Sequence, residues 1–141
     1  TVGIVGARRC SQQDKKKAVE LAQEYTQKGI PVISGMAKGI DSYAHTACLN
    51  SGGYTVAIVG NGLDICYPSE NIRLMESIEK KGLLLSEYPP GVCPSQYNFP
   101  RRNRLISAWS DRLIVIGAGN RSGANITAEY SRKLGREIEW W

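Results

Sequence analysis

The chain reads as an α/β protein: a doubly wound, mostly parallel sheet with helices on both faces. Three observations predict this. Short apolar runs without polar interruption recur along the chain, as strands buried on both faces require. Amphipathic stretches of helical period separate them, and glycine follows four of these where a helix is expected to stop. Strict alternation of the two patterns calls for parallel neighbours joined by right-handed crossovers.

The first strand is Val2–Val5, closed by Gly6. A helix over residues 12–28 follows, with Ser11 as its cap and Asp14 placed to complete a capping box. Ala18, Leu21, Ala22 and Tyr25 give that helix its apolar stripe, and Gly29 ends it. Pro31–Ile33 is the second strand, and the helix over 40–51 stops at Gly52-Gly53. Thr55–Val59 is the third, and the helix over 70–81 stops at Gly82. Leu83–Leu85 is the fourth. The irregular segment Tyr88–Asn98 carries Pro89, Pro90 and Pro94 and reads as a functional loop. Pro100 suits the first position of a helix over 101–109. Leu113–Ile116 is the fifth strand, and the last helix, 124–134, has Ser122 as expected cap and Gly135 as stop. Glu137–Trp141 resembles the start of a sixth strand, and Thr1 stands almost inside the first. The expectation is a single domain, residues 1–141, excised from a longer chain.

Composition narrows the function. With 42% hydrophobic and 22% charged residues, the chain is neither disordered nor fibrous. No apolar run approaches the ~20 residues of a membrane span, so a membrane partner is not expected. Eighteen Lys+Arg against thirteen Asp+Glu leave a net charge of +5, a bias toward polyanionic partners. Cys10, Cys48, Cys66 and Cys93 are too scattered for a zinc or redox pair and read as reduced thiols of a cytoplasmic protein. No metal site is expected. No cofactor is expected either: Gly3–Gly6 is not a dinucleotide fingerprint, and no Walker lysine motif occurs.

In such a sheet, ligands bind beyond the carboxyl ends of the strands. The segments there are Gly6-Ala7-Arg8-Arg9, Ser34–Asp41, Gly60–Gly62 and Gly117–Gly123. Arginines crowd the helix starts: Arg8 and Arg9 before the first, Arg101, Arg102 and Arg104 in the turn after Pro100, Arg121 before the last. Cations oppose the dipole at a helix N-terminus, so the pattern calls for an anion. The alternative is that some of these guanidiniums reach structural carboxylates such as Glu87 or Asp111. Tyr97 and Phe99 flank Asn98 immediately before the arginine turn as candidate base-stacking platforms. Phe99 alternatively packs the helix entry. His45 follows Asp41 by one helical turn, which suits a structural contact better than a catalytic pair. No nucleophile elbow or paired carboxylate stands out, so no catalytic residue is assigned.

Six ordered motifs remain: Ile4–Arg8, Ser34–His45, Gly60–Asp64 with Tyr67-Pro68, Leu84–Gly91, Asn98–Ile106, and Arg121–Gly123 with Ile126–Ala128. Together they resemble the central domain of the DNA-processing protein A (DprA/Smf) family, almost end to end. The resemblance implies an extended Rossmann-like domain that binds single-stranded DNA and is not an enzyme. It implies protection of incoming DNA in natural transformation, loading of the RecA recombinase, and a homodimer. Among the residues, it implies that Arg8, in its turn with Gly6 and Ala7, binds DNA. Ser34, Gly35, Lys38 and Gly39 would line the same pocket. Phe99, Arg101, Arg102 and Arg104 would form a second wall, with Arg121 and Ser122 beside it. Gly117 departs from the family's usual glutamate, Ala124-Asn125 from its Ser-Leu, and Glu129 is expected to add a carboxylate near the pocket. The alternative is a nucleotide-binding sensor or an enzyme resembling the phosphoribohydrolases that act on nucleoside monophosphates. Their Pro-Gly-Gly-x-Gly-Thr-x-x-Glu motif is not matched by Gly117–Gly123, which lacks the proline and the glutamate spacing.

Overall fold

Six parallel strands in the order β4-β3-β2-β1-β5-β6 form the sheet of a computed structural model that describes residues 1–141. The elements are β1 (Val2–Gly6), α1 (Gln12–Gln27), β2 (Val32–Ser34), α2 (Ile40–Asn50) and β3 (Thr55–Val59). A 3-10 turn (Ser69–Asn71) leads into α3 (Ile72–Lys81) and β4 (Leu83–Ser86). Then come α4 (Asn98–Trp109), β5 (Arg112–Ile116), α5 (Ala124–Lys133) and β6 (Glu137–Trp140). Every neighbouring pair is parallel, with Val2 opposite both Val32 and Arg112.

Side-chain alternation sorts the core onto two faces. Val2, Ile4, Ile114 and Ile116 pack with Ala18, Leu21 and Ala22 of α1 and with Ile40, Ala44 and Cys48 of α2. Ala57 and Val59 extend that face toward Met75 and Ile78 of α3. Val5, Ile33, Val56, Ile58, Leu113 and Val115 point the other way, against Ile106 of α4 and Ala124 and Ala128 of α5. The all-apolar strands follow from this double burial, as expected.

The capping box forms as expected: the Ser11 hydroxyl accepts from Asp14 N–H at 3.1 Å, and Asp14 Oδ2 accepts from Ser11 N–H at 2.9 Å. Gly29, Gly52 and Gly135 end their helices in the left-handed region, whereas Gly82 is extended (φ −146°). Two helix starts and one cap differ from expectation: α3 begins at Ile72, behind the 3-10 turn, where residue 70 is expected. The α4 helix begins at Asn98 because Asn98 N–H donates to both Ser95 O and Ser95 Oγ, starting the turn early. Pro100 therefore stands inside the first turn, where its missing N–H costs no bond. The cap position of α5 is Gly123, with Ser122 one residue outside and its hydroxyl accepting from Ala124 N–H at 3.3 Å. All four cysteines are unpaired. No helix is long and apolar enough to cross a membrane.

His45, fully buried on α2, does not touch Asp41 through a hydrogen bond. Thr55 Oγ1 donates to Val32 O (2.8 Å) and so accepts from His45 Nδ1–H (2.6 Å), which leaves Nε2 buried without a partner. Burial, reinforced by the nearby Arg102 charge, holds the His45 pKa at about 3. In the unfolded chain the group titrates near ~6.5. The unfolded state thus takes up the proton first, and this stabilisation is complete above that pH and lost as pH falls toward the folded value. Urea denaturation at pH 7 and pH 5 should show the native protein losing about 2 kcal/mol from this group. In His45→Asn that part of the pH dependence should vanish.

Candidate functional site

The chain builds β1 to β4 in one direction and then returns through α4 to place β5 on the other side of β1. At that switch point the connections leaving β1 and β5 diverge, which opens a crevice beyond their carboxyl ends. Its volume is ≈ 830 Å³. Val5 and Ile106 are part of its lining, the β1–α1 turn forms one side, and the segments before α4 and α5 form the others.

Two glycines allow that turn its position. A Cβ on Gly6 would lie 2.1 Å from Ile116 O, so only glycine lets the end of β1 lie this close to β5. Gly39 has φ +78°, and a Cβ there would stand 2.3 Å from Ala7 O. With that space free, Ile40 N–H at the start of α2 donates to Ala7 O at 3.2 Å. Arg8 and Arg9 are then exposed at the crevice mouth without an ion pair.

On the opposite side stands Arg102, only 6% exposed. Its Nη1 donates to Gly35 O (2.7 Å) and to Ile58 O, and its Nε donates to Asn103 Oδ1 (3.1 Å). Asp41, equally buried, accepts from Gly35 N–H at 3.0 Å. Burial raises the Asp41 pKa and lowers that of Arg102, and each one's charge opposes the shift in the other. Phe99, one turn before Arg102, stacks on Tyr67 with centroids 5.5 Å apart and planes at 21°. The guanidinium carbons of Arg8 and Arg102 lie 5.7 and 5.8 Å from the Phe99 ring centroid. A smaller chamber of ≈ 90 Å³ opens behind these rings, with Gly35 and Lys38 in its lining.

The structure brings some of the expected residues together and separates others. Gly6, Ala7, Arg8, Phe99, Arg102, Arg121 and Ser122 line the crevice. Arg121 is exposed and without an ion pair, and Lys38 is held by Glu70 at 2.8 Å. Ser34 is fully buried, its hydroxyl donating to Ile4 O at 2.6 Å, so it faces the sheet. Gly39 lies beneath the Ala7-Arg8 backbone. Arg101 is exposed on α4 outside the crevice, and Arg104 is paired with Glu87. Tyr97 is 74% exposed and also lies off the crevice. Glu129 pairs with Lys133 at 2.9 Å on the outside of α5, away from the pocket it was expected to approach. Gly117 has φ +63°, and a Cβ there would lie 2.8 Å from an Asp14 carboxylate oxygen.

Among the lining residues that the sequence does not assign to the site are Arg9 and Tyr67. Arg9 adjoins Arg8 and carried its own signal. Tyr67 was visible beside Pro68, but its stacking on Phe99 is a tertiary fact. The outcome is a crevice lined by Arg8, Arg9, Arg102 and Arg121 whose only carboxylate, Asp41, is buried.

The whole chain, residues 1–141, matches the family described as DNA recombination-mediator protein A. DNA processing protein DprA of Streptococcus pneumoniae is 44% identical over 137 residues, covering 97% of this chain and 48% of that protein. Protein Smf of Synechocystis sp. is 42% identical over 137 residues, covering 97% of this chain and 34% of its own length. The chain thus spans less than half the length of these two relatives. DNA processing protein A from Helicobacter pylori, whose structure is described as giving insight into a unique single-stranded DNA binding mode, is similar with a TM-score of 0.93. The two are 32% identical, over 99% of this chain and 63% of that one.

The arginines of α4 should separate in stability measurements. Arg102→Met leaves two buried carbonyls without a donor and removes the positive charge near Asp41, and should cost about 3–5 kcal/mol in denaturant titrations. Arg101→Ala should stay within about 0.5 kcal/mol of the native protein.

Proposed function

The chain belongs to the DNA recombination-mediator protein A family, and from that premise we propose that its crevice binds single-stranded DNA. The observation that carries this reading is the set of unpaired, exposed arginines Arg8, Arg9 and Arg121 beside a stacked aromatic pair. Guanidiniums fork onto phosphate oxygens, and an exposed ring face accepts any base. Tyr67, at 45% exposure, offers such a face, while Phe99 is half-buried between Tyr67 and two guanidiniums. Phe99 then serves mainly to support Tyr67 and Arg8. A flexible strand can bend phosphates into the crevice and leave a base against Tyr67. A duplex is a stiff rod with its base faces already stacked.

The wider role follows the family resemblance: protection of incoming DNA in natural transformation, loading of the RecA recombinase, and action as a cytoplasmic homodimer. The relatives named DNA processing protein, and the recombination-mediator description of the family, support the part of this role that concerns DNA processing and recombination.

Electrophoretic shifts with single and double strands at two salt concentrations test the reading. Affinity for single strands should exceed that for blunt duplex and fall with salt at a slope of about −0.7 per phosphate neutralised. Equal or tighter duplex binding would sink it. Arg8→Ala should cost about 1.5–3 kcal/mol of binding with little change in melting temperature. Tyr67→Ala should cost about 1–3 kcal/mol and leave most of the salt slope intact, since it removes a stacking face and no charge.

A further inference from the structure

We infer that Arg102 is a positioning residue of the crevice, setting where Phe99 and the Gly35–Lys38 turn stand; the inference rests on the single-stranded DNA reading above. Arg102 sits on α4 but its hydrogen bonds reach into two strand ends. Nη1 takes the carbonyls of Gly35, just past β2, and of Ile58 near the end of β3, and Nε is taken by Asn103. The peptide groups of Gly35 are therefore gripped from both sides, the N–H by Asp41 and the C=O by Arg102.

The grip depends on residue 35 having no side chain. A Cβ at Gly35 would lie 2.8 Å from the Arg102 guanidinium carbon. Beyond Gly35 the turn is held in one shape: Met36 is fully buried at φ 58°, and its carbonyl accepts from Asn71 Nδ2 at 3.0 Å. On the α4 side, the Phe99 ring lies against Gly60, where an added Cβ would be 3.0 Å from Phe99 Cδ1. Arg102 thus locks the rotation of α4 to the ends of β2 and β3. That rotation decides where the Phe99 ring supports Tyr67 and Arg8. Only Nη2 of Arg102 is left without a partner, so a direct phosphate contact is the competing role, and the salt slope separates the two.

Gly35→Ala is the informative variant, because it displaces the guanidinium and removes no charge. Phe99 is the only phenylalanine, so incorporation of 4-fluorophenylalanine gives one ¹⁹F resonance at the ring in question. In Gly35→Ala that resonance should move, and affinity for a single-stranded oligonucleotide should fall roughly tenfold, as for a stacked base partly lost. The salt slope should match the native protein. Arg102→Lys, which keeps the charge but cannot span both carbonyls and Asn103, should shift both readouts the same way and serves if Gly35→Ala does not fold. Native-like affinity in a variant whose resonance has moved would overturn the inference. So would an unmoved resonance. A slope reduced by one phosphate would assign Arg102 to direct contact instead. If the native protein itself fails to bind single strands, the DNA reading falls before any variant is compared.

Discussion

A carbonyl at the end of a parallel strand has no partner once the neighbouring strand stops. Here β2 stops at Ser34, opposite Ala57, while β3 runs on to Val59. The carbonyls of Gly35 and Ile58 accept from Arg102 instead. Leaving two such groups buried and unmet would cost on the order of 1–3 kcal/mol each. That requirement draws a guanidinium into the protein, and Asp41 follows as its counter-charge. The shape of the crevice wall and the seat of α4 depend on this arrangement. It is a backbone necessity that leaves a positive charge in the crevice wall.

Charge at the crevice is consequently graded by burial. Arg102 is fixed and committed, whereas Arg8, Arg9 and Arg121 stand at the rim with no carboxylate to satisfy them. Other cations near the sheet edge are neutralised, Lys38 by Glu70 and Arg104 by Glu87. The net charge of +5 understates the local asymmetry, since three exposed guanidiniums, Arg8, Arg9 and Arg121, gather at one opening whose lining holds no exposed carboxylate. Field focusing of this kind draws a polyanion toward the opening before any specific contact forms.

The strands were legible because burial on both faces demands unbroken apolar runs, and those runs predict β1 to β5 to within one residue at each end. Helix starts were less legible. The start of α4 depends on Ser95, a residue inside the proline loop that no periodic pattern marks. Within the site, Arg8 and Arg121 could be placed because they follow strands directly. Arg101, Arg102 and Arg104 could not be told apart as members of one cluster. Helical geometry separates them by about 100° per residue, so one faces out, one in, and one toward Glu87. The signal for the buried one was present: Arg102 precedes Ile106 by one turn and shares its inward face. Tyr67 had no comparable signal, since its ring matters only through a partner distant in sequence.

The lack of room for a side chain between Gly117 and Asp14 constrains how this chain could change. Position 117 is left-handed, which any residue with a side chain tolerates poorly, and the space beside it already holds a carboxylate. An acidic residue there would meet both backbone strain and like-charge repulsion. Asp14 is not free to leave either, because it closes the capping box of α1. The two positions are therefore epistatic. A single step to glutamate at 117 is disfavoured while Asp14 stands, and the route that removes Asp14 forfeits the carboxylate half of the α1 capping box, though Ser11 still caps the helix.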